Sequence, residues 1–323
     1  MLSSVKLMAL SCSVVVVFPT IELCQSDKLY LKSRHLNQDK HSINMKAIIA
    51  CCLLLAVTAQ AAVWAKVKPV YRTRPTLRHA VRSKIIGGSI STPGQFPYQV
   101  GLYLDGSGFC GGSLIKDDVI LTAGHCADGT RNFKAHLGAQ NIYDETEPTR
   151  VIVTSTNGIL HEFYNPSTIN NDIAVVKLTA PVSGAGIGVV RLPARSQLGE
   201  TFNGVSARVS GWGRTSDSIG AISSELKFVD VTVIDNSECA SYYGNIINDS
   251  KICVDTLGGT AGTCNGDSGG PLVITEADGE VTEIGIVSFG SSAGCESGAP
   301  AAFTRVSEYL PWLETNAGVT IRP

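Results

Sequence analysis

Gly266-Asp267-Ser268-Gly269-Gly270-Pro271 is the stretch on which the reading of this chain turns. A serine set among glycines in G-x-S-x-G spacing suits a nucleophile on a tight turn, with backbone N–H groups able to face a reacting carbonyl. A hydroxyl is a weak nucleophile until an imidazole accepts its proton, and the imidazole in turn needs a buried carboxylate to fix its tautomer and stabilise its cation. Two further segments supply these groups: Leu121-Thr-Ala-Gly-His125-Cys126 and Asn171-Asp172-Ile-Ala-Val-Val. The same G-x-S-x-G spacing also marks the nucleophile elbow of α/β-hydrolases, where the histidine follows the serine. Here the six histidines stand at 35, 41, 79, 125, 136 and 161, all upstream of Ser268. Chain order therefore excludes that fold and the ester- or lipid-hydrolase reading that goes with it.

Around these motifs, short β-branched or alternating runs are broken by Gly, Asn, Asp and Pro: QVGLYL, VILTAG, RVIVTST, IAVVKL, ARVSGWG, KFVDVTVI, PLVITE and GIVSFG. Repeated short strands with turn signals between them predict an all-β, antiparallel sandwich or barrel architecture. Ile85 to Pro323 is near the size limit of one core, which favours two packed β-units with a seam near Leu192 to Thr201. Only Ser307 to Asn316 has helical spacing, with Tyr309, Leu310, Trp312 and Leu313 on its apolar face and Pro311 near its start.

The chain has 323 residues, 44% hydrophobic and 17% charged, which excludes a disordered chain and a small disulfide-stapled peptide. Its net charge of -2 hides a split. Up to Lys84 there are 13 Lys/Arg against 3 Asp/Glu, and from Ile85 onward 13 against 25. An acidic body lacks the clustered cations that a phosphate backbone requires, so no nucleic-acid partner is expected. Lys46 followed by AIIACCLLLAVTAQAAVWA, with Ala59-Gln60-Ala61 as a small-residue cleavage site, reads as a secretory signal peptide over 45–61. Thr58 and Gln60 interrupt the run, which argues against a membrane anchor. Residues 1–44 form an N-terminal extension of uncertain role, and Met45 is a candidate start. Residues 62–84, with Arg72, Arg74, Arg78 and Arg82, read as a solvated pro-segment. Six cysteines fall in the body, at 110, 126, 239, 253, 264 and 295. Their spacing suits disulfides better than zinc, although six cysteines allow 15 pairings.

With IIGG at 85–88, CGGSLI at 110–115, LTAGHC at 121–126, NDIAVVKL at 171–178, GWG at 211–213 and GDSGGP at 266–271, the chain from Ile85 to about Asn316 resembles the trypsin-like domain of the chymotrypsin family of serine proteases. GTCNGDSGGP and SSAGCESG resemble arthropod digestive chymotrypsins and their collagenolytic relatives. The resemblance implies two packed six-stranded antiparallel β-barrels (about 85–195 and 196–323) with a C-terminal helix. It makes His125, Asp172 and Ser268 the catalytic triad, the amides of Gly266 and Ser268 the oxyanion hole, and Ser288 a hydrogen-bond donor to Asp172. It pairs Cys110 with Cys126, Cys239 with Cys253, and Cys264 with Cys295.

It also implies a secreted precursor cut after Lys84 by a trypsin-like protease, freeing an amine on Ile85 to pair with Asp267. The primary specificity pocket falls to Gly262 at its floor, Gly290 on its wall and Ala301 near its base, an uncharged slot for large apolar or aromatic side chains. The expected partners are protein or peptide substrates, the activating protease and protein inhibitors, with no cofactor, no metal and no membrane, in an extracellular setting such as a gut lumen. Gly124 and Phe289 depart from the family's usual alanine and tryptophan. Ala139 stands where calcium-binding members carry a carboxylate, leaving Asp144, Glu145 and Glu147 as a solvated loop, while Glu296 reads as a loop charge near the pocket rim. His136 and His161 read as structural, and Asn248-Asp249-Ser250 is a glycosylation sequon. A second reading is a catalytically weak homologue that works as a binding or regulatory protein; an intact triad argues against it.

Overall fold

The computed structural model describes residues 67–69, as backbone, and 85–323; residues 1–66 and 70–84, with the extension, the signal peptide, most of the pro-segment and Lys84, lie outside the described residues. Two short strands come first, β1 (Val67–Pro69) and β2 (Ser89–Ile90). One ladder then uses β3 (Gln99–Leu104), β4 (Gly108–Lys116), β5 (Val119–Thr122), β6 (Phe133–Leu137), β7 (Val151–Ser155), β8 (Asn157–Leu160) and β9 (Ala174–Lys177), in the order β7-β6-β3-β4-β5-β9-β8. Strands β7 and β8 are separated only by Thr156, and the first pairs β6 while the second pairs β9. This bent strand closes the ladder into a six-membered antiparallel barrel.

The second ladder runs β14-β13-β10-β11-β12-β15 through β10 (Ser206–Gly211), β11 (Lys227–Ile234), β12 (Lys251–Val254), β13 (Pro271–Thr275), β14 (Val281–Ser291) and β15 (Ala301–Arg305). Pairing of β14 with β15 closes it, again with six strands. Strand β1 joins it beside β14 and β2 beside β11, so Ser89 and Ile90, although early in the chain, belong to the second sheet.

Alternation explains the outer strands. In β11 alternate residues face the core, with Val229, Val231 and Val233 inside and Asp230 and Thr232 outside. Strand β4, GFCGGSLIK, is buried along nearly its whole length and is rich in glycine for a steric reason. A Cβ on Gly111 would come within 3.0 Å of Gly270 Cα, and one on Gly112 within 2.8 Å of Ile120. Its glycines thus let the Ser268 loop of one barrel lie against the wall of the other.

Three helices complete the domain: α1 (Gly124–Ala127), α2 (Asn236–Tyr243) and α3 (Leu310–Ala317). The C-terminal helix begins at Leu310 rather than Ser307, because Pro311 fits only the first turn, and Val306–Tyr309 is a 3-10 turn instead. Disulfides join Cys110 to Cys126, Cys239 to Cys253 and Cys264 to Cys295. Among the described residues no helix is long and apolar enough to cross a membrane.

Candidate active site

His125 lies on α1, the single turn of helix that follows β5, and Cys126 beside it is bonded to Cys110 on β4. Gly124 allows the turn to seat closely: a Cβ there would lie 3.0 Å from Ile173 N and from Tyr164 Cδ2, and 3.1 Å from Leu160 Cδ1. Asp172 follows a bend in which Ile169 and Asn171 both take positive φ, a costly conformation for non-glycine residues. Asn171 is held there by its side chain, which donates to Phe163 O and accepts from Tyr309 Oη.

The Asp172 carboxylate is fully buried. Oδ1 accepts from the His125 amide at 2.7 Å, Oδ2 lies 2.9 Å from His125 Nδ1, and Ser288 Oγ donates to Oδ2 at 2.5 Å. Burial pushes this carboxyl upward, but the His125 charge and hydrogen bond, with Lys251 and the Ser288 hydroxyl, outweigh it and hold Asp172 below the ordinary carboxylate range. An ionised Asp172 is an acceptor only, so the Nδ1 proton faces it and the imidazole lone pair is on Nε2. Nε2 is buried and makes no hydrogen bond among the described residues.

Ser268 is fully buried, in the loop between the two barrels' facing strands. Its carbonyl accepts from Gly111 N at 2.7 Å and lies 3.7 Å from Cys126 Sγ, so the serine's backbone is seated against both β4 and the histidine turn. Gly266 (φ 103) and Gly269 (φ 78) take conformations that favour glycine. A side chain on Gly269 would meet Thr122 Oγ1 at 2.2 Å. Asp267 N, Gly269 N and Gly270 N donate to Cys264 O, Val287 O and Asp267 O, while the Gly266 amide has no acceptor among the described residues.

Asp267 points away into the second barrel, where its oxygens accept from Gly213 N at 2.7 Å and Cys264 N at 3.0 Å. Among the described residues no cation pairs with it. Burial raises its pKa to about 6, against the lowering effect of the two amides. The glycines of Gly211-Trp212-Gly213 make room for it, since a Cβ on either would lie 2.2 Å from a carboxylate oxygen. Ile85 is fully buried in the same barrel's core, with Val209, Ala261 and Ala301.

Gly262 (φ 138) sits with its Cα facing the buried Thr256, 3.3 Å from where a Cβ would stand, and nothing lies within 4 Å of a Cβ on Gly290. Cys264–Cys295 ties the Gly262 segment to the loop preceding Ala301, which is itself buried. No carboxylate of the described residues is hydrogen-bonded at Gly262, Gly290 or Ala301. The two acids nearest in sequence are engaged elsewhere: Asp217 accepts from Cys295 N and Glu296 N, and Glu296 accepts from Ser216 Oγ and Asp217 N.

The acids of the 139–150 loop are also occupied. Glu145 pairs with Lys134, and Glu147 binds the amides of Gln140 and Asn141 together with Arg150. The buried Arg150 guanidinium also bonds the carbonyls of Asn141 and Ile142 and His136 Nδ1. The side-chain groups with metal-ligand proximity contain Cys110, Cys126, Cys264 and Cys295, all consumed in disulfides. His161 stacks on Trp312 with ring centroids 5.2 Å apart.

Sequence reasoning missed two residues here. Lys251, fully buried on β12, donates to Ile169 O and lies 5.9 Å from the Phe289 ring centroid, and its charge acts on Asp172. Thr304 Oγ1 donates to Asp172 O at 2.8 Å. A lysine in KICV carries no sequence signal of burial.

Two closed barrels that meet at a buried His–Asp–Ser288 chain and a glycine-set serine define a chymotrypsin-like serine protease. The family model described as Trypsin matches residues 85–313. Brachyurin of Leptuca pugilator is 46% identical over 237 residues, 73% of this chain and 100% of the relative. Collagenase of Hypoderma lineatum is 35% identical over 280 residues, 85% and 99% of the two chains, and chymotrypsin of Phaedon cochleariae is 37% identical over 238 residues, 72% and 82%. A solved collagenase structure superimposes with a TM-score of 0.65 at 39% identity, covering 73% of this chain and 100% of that one. The chain belongs to the trypsin family and is a serine endopeptidase.

Proposed function

We propose that this protein is a secreted, digestive endopeptidase made as a precursor, activated by cleavage after Lys84, and selective for peptide bonds that follow large apolar or aromatic residues. Ser268 Oγ attacks the scissile carbonyl while His125 Nε2 takes its proton; Asp172, still ionised, stabilises the imidazolium. The amides of Gly266 and Ser268 receive the oxyanion. His125 then returns the proton to the leaving amine, and water repeats the sequence to release the acid. The observation that carries this reading is Asp172 with its three donors, His125 N, His125 Nδ1 and Ser288 Oγ, which leaves Nε2 as the basic nitrogen on the side away from the acid.

Activation follows from Asp267. A buried carboxylate without a cation is costly, and an amine freed on Ile85 supplies one. The neutral slot lined by Gly262, Gly290 and Ala301 supports the apolar preference, since burying a Phe or Leu side chain contributes about 1.5–3 kcal/mol. Similarity to collagenase, in sequence and in solved structure, supports extending the substrate class to include collagen. The test is to treat the secreted protein with trypsin and compare peptides ending in Phe, Leu, Ala and Arg. Phe and Leu substrates are expected to turn over fastest. Preferred cleavage after Arg would overturn the pocket assignment, and no turnover of any substrate would favour a binding protein.

A further inference from the structure

Strand β1 pairs with the end of β14 that leads to the candidate active site. Val67, Lys68 and Pro69 pair antiparallel with Ser291, Gly290 and Phe289 at the end of β14. The β15 pairing of β14 stops at Phe289, so the Gly290 and Ser291 edge has β1 as its only strand partner among the described residues. The next residue back along β14 is Ser288, whose hydroxyl holds Asp172. Because the pairing is antiparallel, β1 runs toward Ser288 in the amino-to-carboxyl direction. A peptide in this register presents the residue after the one opposite Phe289 to the site, alongside Gly290 of the specificity slot.

The register also suits the sequence. Opposed residues in an antiparallel ladder alternate between pairs that exchange both hydrogen bonds and pairs that exchange none. Proline has no N–H to donate, so Pro69 with Phe289 must be of the second kind, which leaves Lys68 with Gly290 as the pair that exchanges both. Addition of a strand to an exposed sheet edge is a general mode of peptide recognition, in which main-chain hydrogen bonds supply the affinity.

We propose that Val67–Pro69 is an autoinhibitory strand: the pro-segment of this protein occupies its own peptide-binding edge in substrate direction and competes with substrate until the chain is cut at Lys84. This rests on the reading of 62–84 as a pro-segment of an endopeptidase. Fifteen residues lie between Pro69 and Ile85, and a chain of that length can reach roughly 50 Å when extended, enough to link the strand covalently to the domain. A tether of this length gives the strand an effective concentration on the order of millimolar. Cleavage converts that into an ordinary bimolecular equilibrium, and the strand leaves. The precursor is then held inactive twice, by an unpaired Asp267 and by an occupied edge.

The experiment is amide hydrogen exchange across Phe289–Ser291 in the full-length precursor carrying Ser268→Ala, beside the same precursor carrying Lys68→Pro as well. Lys68 lies outside the barrels, so its replacement leaves the domain folded, and it removes the N–H of the exchanging pair. Exchange at Gly290 is expected to quicken by roughly tenfold, the order that losing a hydrogen-bonded pair implies. In parallel, a synthetic peptide of residues 62–84 is added to the activated enzyme; it should raise apparent KM without changing kcat, and the Lys68→Pro peptide should be weaker by a similar factor. Equal exchange in the two precursors, or equal inhibition by the two peptides, overturns the proposal. If the enzyme turns over no substrate while the exchange difference is present, the docked strand stands and the endopeptidase reading fails; the reverse result separates them the other way.

Discussion

In the first barrel, His125 and Asp172 are joined by the acid's contacts to a backbone amide and a ring nitrogen, and the turn that carries His125 is bonded through Cys126 to β4. In the second barrel, Ser268 and the slot are built on loops with positive-φ glycines at 258, 259, 262, 266, 269, 294 and 298, and the central carboxylate, Asp267, has amides but no cation. The difference teaches where control resides. On the proposed reading, the proton-handling half is already assembled, whereas the half assigned to the nucleophile and the oxyanion site holds a buried carboxylate with no cation among the described residues.

Breaking the first half should cost most. Asp172→Asn keeps the shape but reverses the tautomer preference of His125, and the loss typical of chymotrypsin-like triads is about 10⁴-fold in kcat; steady-state kinetics after normal trypsin cleavage would check it, and a loss below tenfold would mean that Asp172 does not hold His125. Breaking the second half should act through activation. Ile85→Gly is expected to leave secretion intact while most activity disappears after cleavage, because the freed amine no longer carries a side chain that anchors it in the core.

The same half predicts a pH dependence. A carboxyl whose folded pKa is raised from 3.8 to about 6 holds its proton more tightly folded than unfolded. Stability is therefore greatest below about pH 4 as far as this group is concerned, and falls as pH rises through about 6, by up to about 3 kcal/mol. Urea titrations of the precursor at successive pH values should show that decline, and Asp267→Asn should flatten it.

A smaller effect sharpens the comparison from the first half's side. Lys251 places a buried positive charge near Asp172, and its own pKa is lowered by burial to about 8. Lys251→Met leaves the imidazole facing a more negative surrounding, so the acid limb of the kcat/KM profile should move to higher pH, by up to about one unit. An unmoved limb would make Lys251 a packing residue only. The smallest effect on activity is expected at the seam between barrels, where buried Glu283 accepts from Ser113 Oγ at 2.5 Å and burial lifts its pKa to about 8. Glu283→Gln should preserve activity and remove the loss of stability that this group causes between about pH 4.5 and pH 8.

Much of this was legible in the sequence, and for identifiable reasons. Runs such as KFVDVTVI announce β11 because one face is wet and the alternation is visible. The buried strands β4, β12 and β15 carry no alternation and are absent from the predicted runs, and the glycines of β4 make sense only once the opposing loop at Gly270 is known to lie against it. The candidate site residues stood out because each stands in a short motif whose glycines reflect close approaches, as Gly211 and Gly213 do around Asp267. Lys251, Thr304 and Glu283 were not, since what matters in each is a neighbour distant in sequence. The path of β1 was equally invisible, because three residues of a basic leader show no preference for an edge 220 or more residues away.

The most direct test of the central claim is alkylation of the activated enzyme by paired peptidyl chloromethyl ketones, one ending in Phe and one in Lys, read by peptide mass spectrometry. An account with His125 Nε2 as the basic nitrogen beside a neutral slot predicts chloride displacement by His125 and a much faster reaction with the Phe reagent. Faster reaction with the Lys reagent, or an adduct on any other histidine, would contradict it.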